Sequence, residues 1–218
     1  MRIAILGTGT LAEALGSGWA RAGHEIVVAG RSAIKAADLA ARLGPGAVTA
    51  PARAAVVDAG AVLLAVAHTG VTEMLNATGA LMGTLSGIPL IDPTNAMDHG
   101  DGRLLLAPGH SHAERVAELA PGAQVIKAFH LFPAEQWTAP GGTRVTVTIC
   151  GDDPAALRTT ECLVRDLGAA PVVFGGLSRA RQVEETAGFV ISLACTGFDP
   201  ATAVPSMPAT SPDIAPTR

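Results

Sequence analysis

Short runs of consecutive apolar side chains, many β-branched, alternate along the first 139 residues with Ala/Leu-rich stretches whose apolar positions recur at helical spacing. The runs at Arg2–Leu6, Glu25–Ala29, Ala47–Ala50, Ala61–Val66, Pro89–Asp92 and Gln124–Phe129 are apolar on both faces. That is the pattern of parallel strands covered by helices above and below. The stretches between them predict helices at about Leu11–Ala22, Ala33–Leu43, Ala52–Asp58, Val71–Leu81 and Ser111–Leu119. Strand–helix alternation of this kind predicts an α/β fold, a Rossmann-type doubly wound parallel sheet over residues 1–139.

Pro140-Gly141-Gly142 punctuates the pattern and marks the expected boundary. Beyond it Arg144–Cys150 alternates, with Val145, Val147 and Ile149 on one face. A helix is predicted over Pro154–Leu167, capped by Asp152 or Asp153, then a strand at Pro171–Phe174 and a long helix at Ser178–Cys195. These elements predict a small α/β C-terminal domain over 140–198, serving substrate binding or dimerisation. Its last helix turns wholly apolar at Gly188–Ala194, which calls for packing against the first domain or a second subunit. Residues 199–218 hold five Pro in twenty positions with few large apolar side chains, and predict a disordered tail.

Composition narrows the chemistry. With 49% apolar and 16% charged residues the chain buries a core, and its fifteen basic residues are scattered at a net charge of −4, so no nucleic-acid partner is expected. No apolar run reaches the roughly 18–20 residues of a membrane span. Met1-Arg2 leads directly into a strand, so no cleavable signal is expected either. The three Cys, at 150, 162 and 195, share no CxxC spacing, which argues against a disulfide framework or a metal site and for a reducing compartment, the cytoplasm. There is no Tyr, which excludes reductases that use a phenol as proton donor, and Lys occurs only at 35 and 127. The chemistry must rest on His, Asp, Glu, Arg, backbone groups or a cofactor.

The strand Arg2–Leu6 runs into Gly7-Thr8-Gly9-Thr10-Leu11-Ala12, a GxGxxA that opens a helix. Gly7 permits the tight turn, Gly9 lets backbone approach a pyrophosphate, Ala12 lets the helix pack close to the strand, and the helix N-terminus attracts the phosphates. The second strand decides which dinucleotide. An NAD site ends it with Asp or Glu; this one ends Val28-Ala29-Gly30-Arg31-Ser32, with Lys35 one turn further. A guanidinium, a hydroxyl and an ammonium there suit the 2′-phosphate of NADP(H). The later strand ends supply the expected nicotinamide wall: Ala65-Val66 with His68, Thr94-Asn95, and Ala128 with His130, Pro133 and Ala134. His68 and His130 are the candidate acid–base residues, each also readable as a packed or orienting histidine.

With these motifs the sequence resembles the F420H2:NADP+ oxidoreductase family. The resemblance covers about Met1–Cys195 and rests on GTGTLAEAL, on the GRS…K turn, on Asp92-Pro93-Thr94-Asn95, and on Val125–His130 with Pro133-Ala134. It rests further on Cys150-Gly151-Asp152-Asp153 and on Gly176–Arg181 before Glu184. It implies a homodimeric reductase that binds NADP on the Gly loop with Arg31 and Lys35. It also implies coenzyme F420 stacked near His130–Ala134, with hydride passing between the two cofactors so that no protein nucleophile is needed. The phosphate and glutamyl tail of coenzyme F420 would require basic residues such as Arg103, Arg179 or Arg181. Two other readings stay open. One is an NADPH-dependent reductase of a small imine, enamine or carbonyl compound, with His130 or His68 as general acid. The other is a non-catalytic NADPH-binding module.

Overall fold

The computed structural model describes residues 1–98, 100–138 and 145–205. Eight strands are present among them: β1 (Arg2–Leu6), β2 (Glu25–Ala29), β3 (Ala47–Thr49), β4 (Ala61–Leu64), β5 (Pro89–Asp92), β6 (Gln124–Lys127), β7 (Thr146–Cys150) and β8 (Ala170–Gly175). They make one sheet in the order β3-β2-β1-β4-β5-β6-β7-β8. All neighbours run parallel except β6 and β7, which meet antiparallel at Lys127 and Cys150. Because β1 lies between β2 and β4, the chain changes winding direction there and opens a crevice at the carboxyl ends of those strands.

The pleat sorts the apolar residues into two cores. Ile3, Ile5, Ile26, Val28, Leu63 and Ile126 face one way, under α1 (Thr10–Arg21), α2 (Ala33–Leu43) and α6 (Pro154–Asp166). Ala4, Leu6, Val27, Leu64, Leu90 and Val125 face the other. That second layer is α3 (Ala52–Ala55), α4 (Val71–Thr78), α5 (His112–Leu119) and α7 (Ala180–Cys195). Local chemistry sets several ends. Ser32 caps α2 by accepting from Lys35 N, Ser111 and Glu114 form a capping box on α5, and Asp153 accepts from Ala155 N and Ala156 N at the start of α6.

The boundary expected at 139/140 falls outside the described residues, but the elements beyond it join the first sheet and both of its helical layers. β7 and β8 extend the sheet. Trp19 Nε1 on α1 donates to the Leu163 carbonyl on α6 at 2.9 Å, and His24 meets Asp166 at 2.9 Å. On the other layer Gly188 of α7 packs backbone to backbone on Gly102, and Ser192 Oγ donates to the Asp101 carbonyl at 2.5 Å, while Phe189 stays half exposed. Of the segment expected to be a tail, Pro200–Ala203 forms a 3-10 turn capped by Asp199, and residues 206–218 lie outside the described set.

One polar cluster sits inside this apolar frame. Lys127 on β6 is fully buried, its Nζ 3.2 Å from Asp92 Oδ2 and 2.9 Å from Glu184 Oε1, and it also donates to the Thr94 carbonyl. Glu184 on α7 accepts from the first two amides of α5, His112 N at 2.8 Å and Ala113 N at 3.1 Å. Asp92 accepts from Thr94 N and Oγ1 at 2.8 and 2.5 Å. Two carboxylates share one ammonium, and the excess negative charge is met by the N-terminus of α5. Replacing Lys127 with Met should therefore cost about 3–5 kcal/mol of unfolding free energy, because two buried carboxylates lose their counter-charge. Denaturant unfolding of Lys127→Met against the parent protein measures it.

Candidate functional site

The turn from β1 to α1 is built by what its glycines lack. Gly7 has φ +137°, donates to the Ala29 carbonyl at 2.8 Å, and lies so close to the Ala65 carbonyl that any Cβ would overlap it. Gly9 is extended (φ −85°, ψ −179°), and a Cβ built on it meets nothing within 4 Å. It is also the N-cap of α1 and brings no side chain to the orphan amides there, leaving a cradle open to an anion. Ala12 is fully buried where the helix crosses its strand.

The Gly loop shares a cavity of about 540 Å³ with the ends of β2 and β4. Of the residues expected to hold the cofactor, Gly7, Thr8, Gly9, Gly30, Arg31, Ser32, Lys35, Ala65 and Val66 line it together. Gly30 passes directly beneath Thr8, where a Cβ would come within 2.8 Å of the threonine methyl. The Ser32 hydroxyl is engaged as the cap of α2. The sequence reading missed Glu73, on the first turn of α4, which lines the same cavity with its Oε2 3.5 Å from Arg31 Nη1. No spacing in the sequence links it to that corner, 42 residues away.

The remaining expected residues lie elsewhere. Thr10 and Ala134 line a second cavity of about 690 Å³ between α1 and the 3-10 turn Ala134–Trp137. Leu11 packs against the core. Asn95, Ala128, His130 and Pro133 line neither cavity. Asn95 Nδ2 donates to the His130 carbonyl at 2.8 Å, which ties the loop after β5 to the loop after β6. Phe129 makes that second loop turn with φ 60°, a left-handed conformation that costs a bulky residue about 1–2 kcal/mol. Its ring is held edge-on by Trp19 and Trp137 at 5.9 and 5.3 Å.

That turn carries His130 inward. Burial, then the charge of Lys127, push its imidazole down to about 3, against the opposing pull of Asp92 and of a hydrogen bond to the Val183 backbone. His112 is shifted the same way by burial. Both rings are neutral at physiological pH, so neither is an imidazolium donor there. His68 is half-buried and meets His112 edge-on at 6.3 Å. The arginines considered for an anionic tail have local partners. Arg179 lies over the Phe174 ring and donates to the Phe174 carbonyl, Arg181 pairs with Glu185 and holds the Ala107 and His110 carbonyls, and Arg103 lies 3.7 Å from Asp101. The Cys150 thiol is buried and pushed up to about 11 by burial, which keeps it unreactive. Among the described residues no cluster of His, Cys, Asp and Glu is arranged to hold a metal ion, and no helix is long and apolar enough to cross a membrane.

Two outcomes follow from this geometry. Gly9→Ala should fold with its melting temperature nearly unchanged yet lose dinucleotide affinity, whereas Gly7→Ala should fail to fold stably. Calorimetric binding and thermal melting of the pair separate a ligand-facing glycine from a structural one. Unfolding free energy should also fall as pH drops from about 6.5 toward 3, because His130 takes up a proton in the unfolded chain but not in the folded one, and the lowered His112 acts in the same direction. Denaturant titrations across that window give the slope, and a stability independent of pH there would contradict the buried, neutral assignment.

The chain is similar to several known proteins. Residues 2–96 match the family described as NADP oxidoreductase, coenzyme F420-dependent. The metalloreductase STEAP3 of Rattus norvegicus is 31% identical over 186 residues, covering 84% of this chain and 36% of that protein. The chain thus spans little more than a third of this curated relative. A hypothetical protein of Sinorhizobium meliloti superposes with a TM-score of 0.72 at 28% identity, over 82% of this chain and 86% of the other. A provisionally assigned F420-dependent NADP-reductase of Arthrobacter sp. FB24 shares the fold, with a TM-score of 0.76 at 24% identity over 90% and 95% of the two chains. The likeness to the family of coenzyme F420-dependent NADP oxidoreductases thus runs through residues 2–96, which hold the Gly loop and the β2–α2 corner.

Proposed function

We propose that the protein is an oxidoreductase that transfers a hydride between reduced coenzyme F420 and NADP. The observation that carries the nucleotide half is the corner after β2. Arg31 and Lys35 share one cavity with the Gly loop, and β2 ends at Ala29 with Gly30 next, so the strand's end carries no carboxylate to accept from a ribose 2′-OH. The open face of Gly9 and the uncapped start of α1 fit a pyrophosphate. Bound there, NADP supplies the nicotinamide carbon that accepts or donates the hydride.

The protein's own part is to bind, orient and exclude water. Ser32 fixes the start of α2 and so aims Lys35, and Asn95 clamps the two loops that border the expected ring site. The neutral, enclosed His130 and the apolar Ala128 and Phe129 make that border poor in exchangeable protons. Such a border suits direct transfer between two rings held about 3–3.5 Å apart, and it suits poorly a reaction that must protonate its product. A reductase of a small imine or carbonyl compound would depend on His68, the half-buried imidazole beside this edge. The expected homodimer belongs to the same proposal and rests on the apolar end of α7, where Phe189 and the following Phe198 meet solvent.

Mixing the protein with NADP and reduced deazaflavin should restore the absorbance of the oxidised chromophore, and His68→Ala should leave kcat and its pH profile essentially unchanged. Intact NADPH binding without turnover would remove coenzyme F420 from the account. A His68→Ala variant that loses most of kcat would favour the small-substrate reading. Arg31→Ala should weaken NADPH about tenfold or more, the value of a charge-assisted hydrogen bond, with NADH nearly unaffected. Fluorescence titration with both nucleotides reads this, and equal losses would contradict the 2′-phosphate assignment.

A further inference from the structure

Glu73 is an acid in a cavity otherwise prepared for an anion. It lines the cavity with Arg31 and Lys35, and it faces Arg31 across 3.5 Å. That separation, with both side chains mostly exposed (76% for Arg31, 64% for Glu73), describes a weak and separable pair. The helix that carries the carboxylate is fixed in place. Glu73 lies in the first turn of α4, whose Val71, Met74 and Leu75 are buried against the sheet, and the helix N-terminus favours a negative charge at that position.

Resting on the reading that this corner takes the 2′-phosphate, we propose that Glu73 is its resident counter-anion. It holds Arg31 before the ligand arrives, so that capture of NADP(H) exchanges one anion for another and Glu73 sets the strength of the preference for NADP(H) over NAD(H). An incoming 2′-phosphate carries about −1.5 to −2 charges and must draw Arg31 away from Glu73 while remaining within reach of that carboxylate. Lys35 and Arg31 outweigh the single acid, so the phosphate wins, but with less than the full attraction of two cations. The hydroxyl of an unphosphorylated ribose bears no charge and takes no part in the exchange. Glu73 therefore penalises only the phosphorylated ligand and works against its overly tight retention.

The test uses adenosine 2′,5′-bisphosphate and ADP as probes, titrated calorimetrically at low salt into the parent protein, Glu73→Gln, Arg31→Ala and the double variant. Glu73→Gln should bind 2′,5′-ADP roughly two- to fivefold more tightly, the range expected of an exposed ion pair, with ADP unchanged and the melting temperature preserved. The gain should shrink when Arg31 is already Ala. Unchanged or weaker binding of 2′,5′-ADP to Glu73→Gln overturns the proposal, and so does equal tightening of both probes. If Arg31→Ala does not reduce the preference for 2′,5′-ADP over ADP, the phosphate corner itself is misassigned and the proposal falls with it. If Arg31→Ala does reduce it while Glu73→Gln has no effect, the corner stands and only the role of Glu73 is lost.

Discussion

A single buried ammonium holds the sheet's carboxyl edge together. Lys127 joins Asp92 at the end of β5 to Glu184 on α7, and Glu184 in turn caps α5 with both carboxylate oxygens. Four elements from opposite halves of the chain therefore meet at one charge, in an interior where each unpaired member would be costly. The cluster also reaches outward electrostatically. It lies close enough to His130, His112 and Cys150 for Lys127 to affect all three, and the two imidazoles stay neutral beside it. A rigid edge follows, with few protons to exchange.

The sequence segments that set this chain apart from a generic dinucleotide-binding domain acquire a physical reason from that cluster. Asp92-Pro93-Thr94-Asn95 supplies one carboxylate and the clamp on the His130 loop, Val125–His130 supplies the lysine, and the stretch ending at Glu184 supplies the second carboxylate. Cys150–Asp153 and Gly176–Arg181 serve the same join. Gly151 lies against the Cδ1 methyl of Ile126, which a Cβ there would displace, and Asp152 accepts from Leu177 N at 2.9 Å. These motifs shape the carboxyl edge of the sheet beside the His130 loop. The phosphate corner, by contrast, is open and charged, and it depends on exposed side chains that a ligand can rearrange.

Much of the architecture was legible because strands buried on both faces leave continuous apolar runs. β1, β2 and β5 begin and end where the pattern places them, as does α2, whose Ser32 cap and Gly44 stop are both local signals. The join between the two halves was not legible. β7 meets β6 through a single antiparallel bridge, and α6 and its C-cap dock on α1 through Trp19 with Leu163 and Gly18 with Leu167, pairings 144 and 149 residues apart that no periodicity encodes. That the Gly loop and Arg31 share one cavity was foreshadowed by spacing, since each stands at the turn that follows a strand. The nearness of Glu73 was not, because it comes from folding α4 beside the corner, 42 residues from Arg31. Nor does a lysine in a strand reveal that it is buried, or a histidine after that strand that it is held neutral.

The proposed nucleotide preference turns on where an extra phosphate sits, which a crystal structure of the protein with NADP+ bound would show. The 2′-phosphate should lie against Arg31 and Lys35 at the start of α2, with the pyrophosphate over Gly9. A 2′-phosphate pointing into solvent, or a dinucleotide lying away from the Gly loop, would contradict it.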